Sequence, residues 1–243
     1  MENMLQGSAF ITGAGSGIGQ CTALAFAKNG VRQLALCDIQ AAALENTSAE
    51  LKSLYPEIEL LLIEMDTSDE SAVGSAVTQT VAAFGRIDIA FNNAGIGGPR
   101  TQTHETSLDE WQRVMDVNLK GVWLCHRAQI RQMLTQEPRD PGVRGSRGVI
   151  VNMASVLGVV ASPRETPACP YAASKHAVVG FSKNDGCLYA PQKVRINAIC
   201  PGYVATPLLR GYIVRHYRLV GNRPLLICSY RTRNMPVQMS CVK

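Results

Sequence analysis

Short apolar runs alternate with longer amphipathic stretches along most of the chain. The runs have the near-continuous Val, Ile, Leu and Ala content of strands buried on both faces, and they predict strands at 8–13, 33–38, 58–66, 87–95, 148–155 and 194–202. The intervening stretches predict helices at 17–30, 40–54, 68–84, 108–136 and 170–190. This alternation indicates an α/β domain, with a doubly wound parallel sheet flanked by helices on both faces.

The composition is that of a globular protein, with 46% hydrophobic and 18% charged residues in a chain of 243. No apolar run reaches the ~18–20 residues that a membrane span needs, and the first residues lack the features of a signal peptide. The eight cysteines show no Cys-x-x-Cys and no paired Cys/His spacing, which indicates reduced thiols. We therefore expect a cytoplasmic protein with no metal site and no membrane contact.

The net charge of +5 is unevenly distributed along the chain. Residues 210–243 carry seven Lys or Arg and no acidic residue, which leaves 17 basic and 19 acidic residues in 1–209. The body of the chain is therefore slightly acidic, and it lacks a basic face with interleaved aromatic residues. This pattern argues against a nucleic-acid partner.

A glycine-rich segment, TGAGSGIG, stands where the first predicted strand passes into the first predicted helix. Glycines at such a turn let the backbone approach a pyrophosphate, and the N–H groups of the helix start point at it. Tight packing alone could also require them. The strand before and the helix after favour nucleotide binding, with the candidate residues Gly13, Ser16, Gly17, Ile18 and Gly19.

Polar residues close the next three predicted strands. Asp38 ends the second strand, where an acid can accept hydrogen bonds from the adenosine ribose and repel a 2′-phosphate. This position favours NAD and leaves NADP as the alternative, although Asp38 could instead cap the following helix. Asp66 could contact the adenine or start a helix. NNAG (92–95) ends the fourth strand, where Asn93, Ala94 and Gly95 are cofactor candidates, although Asn92 and Asn93 could instead be turn residues.

Tyr171 and Lys175 lie four residues apart, about one helical turn, so they share a face of the predicted helix. A nearby ammonium group favours the phenolate form, and it could lower the pKa of the tyrosine hydroxyl into a range useful for acid/base chemistry near neutral pH. The spacing alone is common by chance. Ser155 ends the fifth predicted strand at the carboxyl edge of the sheet, and Asn118 occupies a helical position for which Asn has poor propensity. These placements make Ser155, Tyr171 and Lys175 converge on one crevice.

From residue 8 to about 209, the chain resembles a short-chain dehydrogenase/reductase, a family with a Rossmann-like fold. The matching motifs, in chain order, are Thr12-Gly-x-x-x-Gly-Ile-Gly19, Asp66, Asn92-Asn-Ala-Gly95, Asn118, Ser155, Tyr171-x-x-x-Lys175 and Pro201-Gly202 with Thr206. The resemblance implies an NAD(P)-dependent oxidoreductase that transfers a hydride between a nicotinamide and a small secondary alcohol or ketone.

The resemblance also implies roles for individual residues. Tyr171 would be the general acid/base, Ser155 would polarise the substrate oxygen, and Asn118 would support a water-linked proton relay. Lys175 would lower the pKa of Tyr171 and hold the nicotinamide ribose. Further cofactor contacts are implied for Ile18, Asn93, Lys120, Val204 and Thr206.

The match to the family ends after PGYVATPLL. We expect a dinucleotide-binding oxidoreductase domain over 1–209, without the last strand of the family, and a basic tail over 210–243. A frameshift, a retained intron or an alternative exon would produce such a break, and a tail for an acidic partner is the alternative. Homo-oligomers are usual in the family, but their contacts use the missing elements. The competing functional hypothesis is a catalytically impaired, nucleotide-binding remnant.

Overall fold

The structure is a computed structural model that describes residues 5–139 and 145–209. Its strands are β1 (Ser8–Thr12), β2 (Gln33–Asp38), β3 (Glu59–Glu64), β4 (Ile89–Asn92), β5 (Gly148–Met153) and β6 (Val194–Ile199). Its α-helices are α1 (Gly17–Lys28), α2 (Ala41–Leu54), α3 (Glu70–Phe84), α4 (Leu108–Met115), α5 (Val122–Thr135) and α6 (Cys169–Leu188).

The strands form one parallel sheet in the order β3-β2-β1-β4-β5-β6. The chain builds outward from β1 to β3 and then crosses back to β4 on the other side of β1. The carboxyl ends of β1 and β4 therefore flank the topological switch point, where ligands bind in open α/β sheets. The predicted Rossmann-like fold is confirmed.

The helices cover both faces of the sheet because side chains alternate along each strand. In β1, Phe10 points into the apolar cluster that contains residues of α3 and α5, whereas Ala9 and Ile11 point into the cluster with α1 and α2. All three side chains are fully buried. The continuous apolar runs in the sequence thus correspond to strands that face a core on either side.

The predicted helical region at 108–136 is helical from Leu108 to Thr135, but it is not one uninterrupted α-helix. A π-helical segment, Asp116–Gly121, separates α4 from α5. Such a segment adds a residue to a helical turn and is often found at functional sites. It places Asn118 in the interior, fully buried.

Several predicted strands end earlier than expected. β4 stops at Asn92, β5 at Met153 and β6 at Ile199, because the following residues leave the ladder and line the carboxyl edge of the sheet. β6 is the edge strand of the described sheet. The expectations for 210–243 fall outside the described residues, and the domain boundary at 209 stays a prediction.

Candidate active site

The turn between β1 and α1 requires glycine for two separate reasons. Gly13 and Gly17 have φ values of +65° and +55°, in the left-handed region that favours glycine. Gly19 lies in the first turn of α1, where a Cβ would stand 2.0 Å from the carbonyl oxygen of Gly13. The first turn of α1 therefore packs directly against the backbone of the glycine turn.

The segment after β4 holds this turn in place. The Thr12 hydroxyl accepts the backbone N–H groups of Asn93 and Ala94, each at 3.0 Å. In return, the Asn93 amide donates to the carbonyls of Thr12 and Gly13, each at 3.1 Å. The Asn93 side chain thus supports the glycine turn from behind.

A cavity of about 1260 Å³ runs along the carboxyl edge of the sheet. Ligand pockets are typically about 300–1,000 Å³, so this one has room for two ligands. α1 begins at the cavity with neither a side-chain cap nor an acidic residue in its first turn, which suits an anion at the helix start. The residues present therefore fit a dinucleotide with its pyrophosphate at Gly13, Ser16 and Gly17.

The two predicted acidic contacts also line the cavity, and both make local hydrogen bonds. The Asp38 carboxylate accepts the N–H of Gly15 at 2.9 Å and that of Gln40 at 3.1 Å. Asp38 therefore stabilises both the glycine turn and the residue that precedes α2. Asp66 accepts both the N–H and the hydroxyl of Ser68 at 2.8 Å, which prepares the start of α3.

Ser155, Tyr171 and Lys175 meet at the cavity, as their positions in the sequence predicted. Ser155 follows β5, and its hydroxyl accepts the N–H of Leu157 at 3.2 Å. Tyr171 and Lys175 lie one turn apart on α6, and the Lys175 ammonium stands 5.6 Å from the centroid of the Tyr171 ring. Lys175 is buried, and its Nζ donates to the Met153 carbonyl at 2.8 Å.

Burial has the largest effect on the pKa values of Tyr171 and Lys175. It raises the pKa of the Tyr171 hydroxyl, while a hydrogen bond with Ser155 and the charge of Arg100 act in the opposite direction. Burial also lowers the pKa of Lys175 to about 8.

Asn118 ties the loop after β4 to the π-helical segment. Its side-chain oxygen accepts the N–H of Ile96 at 2.8 Å, and its side-chain nitrogen donates to the Ile96 carbonyl at 2.9 Å. A Cβ at Gly95 would lie 3.1 Å from the same side-chain oxygen. Both polar ends of the Asn118 side chain are thus engaged by the backbone of one residue.

The other predicted cofactor residues divide into two groups. Those that line the cavity are Ile18, Asn93, Ala94, Gly95, Val204 and Thr206. Thr206 also closes over the glycine turn, since a Cβ at Gly17 would stand 3.4 Å from its side chain. Lys120 is not among the lining residues, and its ammonium pairs with Asp116 at 2.8 Å instead.

The sequence interpretation did not identify Arg100, which lines the cavity from the loop after β4. It belongs to none of the motifs, and its only signal is its place after a strand at the carboxyl edge. One face of α4 and the start of the π-helical segment also belong to no motif, and they line the cavity with Asp109, Gln112, Arg113 and Asp116.

The described residues contain neither a metal-binding cluster nor a helix that could span a membrane. Over 5–139 and 145–209, no group of three or more His, Cys, Asp or Glu side chains is placed to hold a metal ion. Within the same ranges, no helix has the length and apolar character to cross a membrane.

The six-stranded parallel sheet and the cavity at its switch point define a Rossmann-like α/β protein. The family model for short chain dehydrogenase matches residues 8–213. The chain belongs to this family of oxidoreductases.

Named relatives agree with this assignment. Short-chain dehydrogenase fogB of Aspergillus ruber is 40% identical over 214 residues, which are 85% of this chain and 77% of the relative. The crystal structure of levodione reductase superposes with a TM-score of 0.80 at 35% identity, over 88% of this chain and 78% of that one. NAD+-bound xylitol dehydrogenase gives a TM-score of 0.77 at 31% identity over the same shares. Solved relatives contain NAD+ in one case and NADPH in another.

Proposed function

We propose that this chain transfers a hydride between a nicotinamide cofactor and a small secondary alcohol or ketone, with Tyr171 as the acid/base. The observation that carries the proposal is the meeting of Ser155, Tyr171 and Lys175 in the same cavity as the glycine turn. These residues come from separate elements. A chance Tyr-x-x-x-Lys pair on a helix surface would not share a cavity with both Ser155 and the glycine turn.

When bound, the cofactor supplies the hydride, and the residues of this chain handle the proton. Tyr171 would donate a proton to the substrate oxygen in reduction and accept it in oxidation. The Ser155 hydroxyl would hydrogen-bond the same oxygen, and Lys175 would hold the nicotinamide ribose. We assign Asn118 to the proton relay through its hold on Ile96, because both ends of its side chain are already engaged there.

We propose NAD as the preferred cofactor. Asp38 ends β2 at the cavity, and its carboxylate would repel the 2′-phosphate of NADP. The remaining cofactor contacts are proposed at Gly13, Ser16, Gly17, Ile18, Asp66, Asn93, Ala94, Gly95, Val204 and Thr206, which all line the cavity.

The test begins with binding, by fluorescence titrations of NADH and of NADPH against the full chain. Turnover is then measured on a panel of cyclic and linear ketones and secondary alcohols. Tyr171→Phe should leave NADH binding within about twofold and reduce turnover by roughly 10²–10⁴-fold, the usual contribution of a general acid/base. Tyr189→Phe, at the far end of α6, is the matched control and should change neither quantity.

Each outcome has a definite meaning. Binding with turnover that depends on Tyr171 supports the proposal. Binding without turnover on any substrate selects the catalytically impaired remnant instead. An absence of NADH and NADPH binding contradicts both hypotheses.

A further inference from the structure

The segment that carries Ser155 contacts Lys175 at both of its ends. At one end, the Met153 carbonyl accepts a hydrogen bond from the Lys175 Nζ at 2.8 Å. At the other end, Gly158 packs so closely against α6 that a Cβ there would lie 2.7 Å from the Lys175 carbonyl oxygen and 3.3 Å from the Lys175 Cβ. Ser155 comes between these two contacts in the chain, so both of them act on its position relative to α6.

Glycine is required at 158 for this close approach and not for a left-handed backbone. Gly158 has no positive φ, in contrast to Gly13 and Gly17. It is buried, and 2.7 Å is well inside the 3.4 Å at which ordinary van der Waals contact begins. The nearest atoms opposite belong to the backbone of α6, so no change of rotamer can relieve the contact. Any side chain at 158 therefore forces the segment and α6 apart.

Hydrogen bonds make Gly158 and Ser155 parts of one short turn. Val156–Gly158 form a single turn of 3₁₀-helix, and Ser155 is its N-cap. The Leu157 N–H donates to the Ser155 hydroxyl at 3.2 Å, and the Gly158 N–H donates to the Ser155 carbonyl at 2.8 Å. A displacement of Gly158 is therefore passed on to Ser155.

The end of β6 restricts where this turn can move. The N–H groups of Ala154 and Val156 donate to the carbonyls of Ile199 and Pro201, each at 2.9 Å. These two bonds stand immediately before and after Ser155 in the chain. The segment is thus held between the end of β6 and α6, and a side chain at 158 must change the distance between Ser155 and α6.

We propose that Gly158 is a positioning residue for the reaction, because its close contact with Lys175 sets the distance between Ser155 and the Tyr171–Lys175 pair. The inference rests on the proposed function, in which Ser155 and Tyr171 bind the same substrate oxygen. Two groups can bind one oxygen only at a suitable separation, and a misplacement of about 1 Å can cost on the order of 10²-fold in rate. Gly158 touches no substrate in this scheme and acts through Ser155.

A double-mutant cycle on turnover separates positioning from a general structural effect. Gly158→Ala should reduce turnover by on the order of 10–10²-fold. The Kd for NADH should stay within about twofold, because the glycine turn and Asp38 belong to other elements. In a Ser155→Ala background, Gly158→Ala should change the remaining turnover by less than about twofold, since the residue through which it acts has been removed.

Gly180→Ala is the matched control, because a Cβ at this position in the interior of α6 meets nothing within 4 Å. It should leave turnover at the parent value. Unchanged turnover in Gly158→Ala would overturn the proposal. An equal loss in the parent and Ser155→Ala backgrounds would also overturn it, since Gly158 would then act on the whole site. If Gly158→Ala does not fold alone, the cycle is repeated in the Gly180→Ala background, which should be more stable.

Amide hydrogen exchange provides a second readout that needs no turnover. In the parent, the Leu157 and Gly158 amides should exchange as slowly as those in the middle of α6, because both donate to Ser155 within one turn. Gly158→Ala should speed exchange at Leu157 by at least about tenfold after correction for the intrinsic rate, and Gly180→Ala should not. Fast exchange of both amides in the parent, or an unchanged Leu157 rate in Gly158→Ala, would contradict the inference. A parent with the expected exchange rates and no turnover contradicts the proposed function alone.

Discussion

Single buried side chains determine the chemistry of the cavity. Lys175 carries an amine into a site with 2% exposure, where it has one hydrogen bond, to the Met153 carbonyl. Burial disfavours its charged form and moves its pKa from the ordinary value of 10.5 to about 8. Holding this residue in place therefore lowers the stability of the fold.

Lys175→Met should raise the stability of the chain at pH 7. The pKa difference between the folded and unfolded chain corresponds to up to about 3 kcal/mol, less the hydrogen bond to Met153. The unfolded chain binds more protons between pH 8 and 10.5, so the parent gains stability as pH rises through that range. Urea unfolding of both proteins at pH 7 and near pH 10 measures the difference, which should shrink at the higher pH. A variant less stable than the parent at pH 7 would contradict this account.

Asp38 is the second residue whose charge has a predictable effect. Its carboxylate lies at the cavity and is hydrogen-bonded to the glycine turn. Asp38→Asn keeps an oxygen for the Gly15 N–H and removes the charge. NADPH binding should tighten by roughly ten- to a hundredfold relative to NADH, because the repulsion of the 2′-phosphate is relieved. Fluorescence titrations with both cofactors measure the ratio. Asp66→Asn is the control and should leave it near the parent value.

At the scale of elements, helix starts and helix interruptions create the site. α1 starts at a turn that only glycine can form, and the π-helical segment Asp116–Gly121 buries Asn118 beneath the loop after β4. The glycine turn was predictable because glycines placed between a strand and a helix indicate a backbone with positive φ values. The π-helical segment was not, since the sequence DVNLKG has no feature that excludes an ordinary helix. Its position depends on the contacts of Asn118 with a loop 22 residues earlier in the chain.

Two glycine-to-alanine changes in helices should have opposite effects. Gly19→Ala places a Cβ 2.0 Å from a backbone oxygen, so the turn must move, at a cost of at least about 3 kcal/mol and with loss of NADH binding. Gly180→Ala, in the interior of α6, meets nothing within 4 Å. It should stabilise the chain by about 0.5–1 kcal/mol, since alanine restricts the unfolded chain and favours the helix. Thermal unfolding with NADH titration checks both, and equal effects would refute the close-approach argument.

At the scale of the whole molecule, a buried polar network joins the sheet to two helices beneath the active site. Asn92 of β4 donates to Asn152 of β5, and Asn152 donates to Ser182 at 2.9 Å. The network extends through α5 and α6 by way of Gln129, His126 and Asp185. The Asn152 amide nitrogen faces Nδ1 of His126, so the neutral ring with a proton on Nε2 satisfies both neighbours.

This network should make the fold sensitive to acid. Burial holds the pKa of His126 below 6.5, although Asp185 acts in the opposite direction. The neutral form stabilises the fold at neutral pH, and this contribution is lost as pH falls below 6.5 through the lowered pKa. The unfolding free energy of the parent should therefore fall between about pH 7 and 5 more steeply than that of His126→Gln. His176→Gln, an exposed change on α6, should follow the parent curve. Parallel curves for the parent and His126→Gln would exclude this role for His126.

The order of elements, the glycine turn and the Tyr-x-x-x-Lys spacing were all readable from the sequence, because each is a local property. Strand and helix periodicities repeat over a few residues, positive φ values favour glycine, and four residues make one turn of α6. The tertiary structure decided how deeply Lys175 is buried, that Lys120 pairs with Asp116, and that Asn118 is engaged by Ile96. These outcomes depend on distances between residues far apart in the chain and on how deeply each is buried. The approach of the loop after β4 to α6, where a Cβ at Gly98 would lie 3.6 Å from that of Tyr171, exists only in the folded chain, because the two segments are far apart in the sequence.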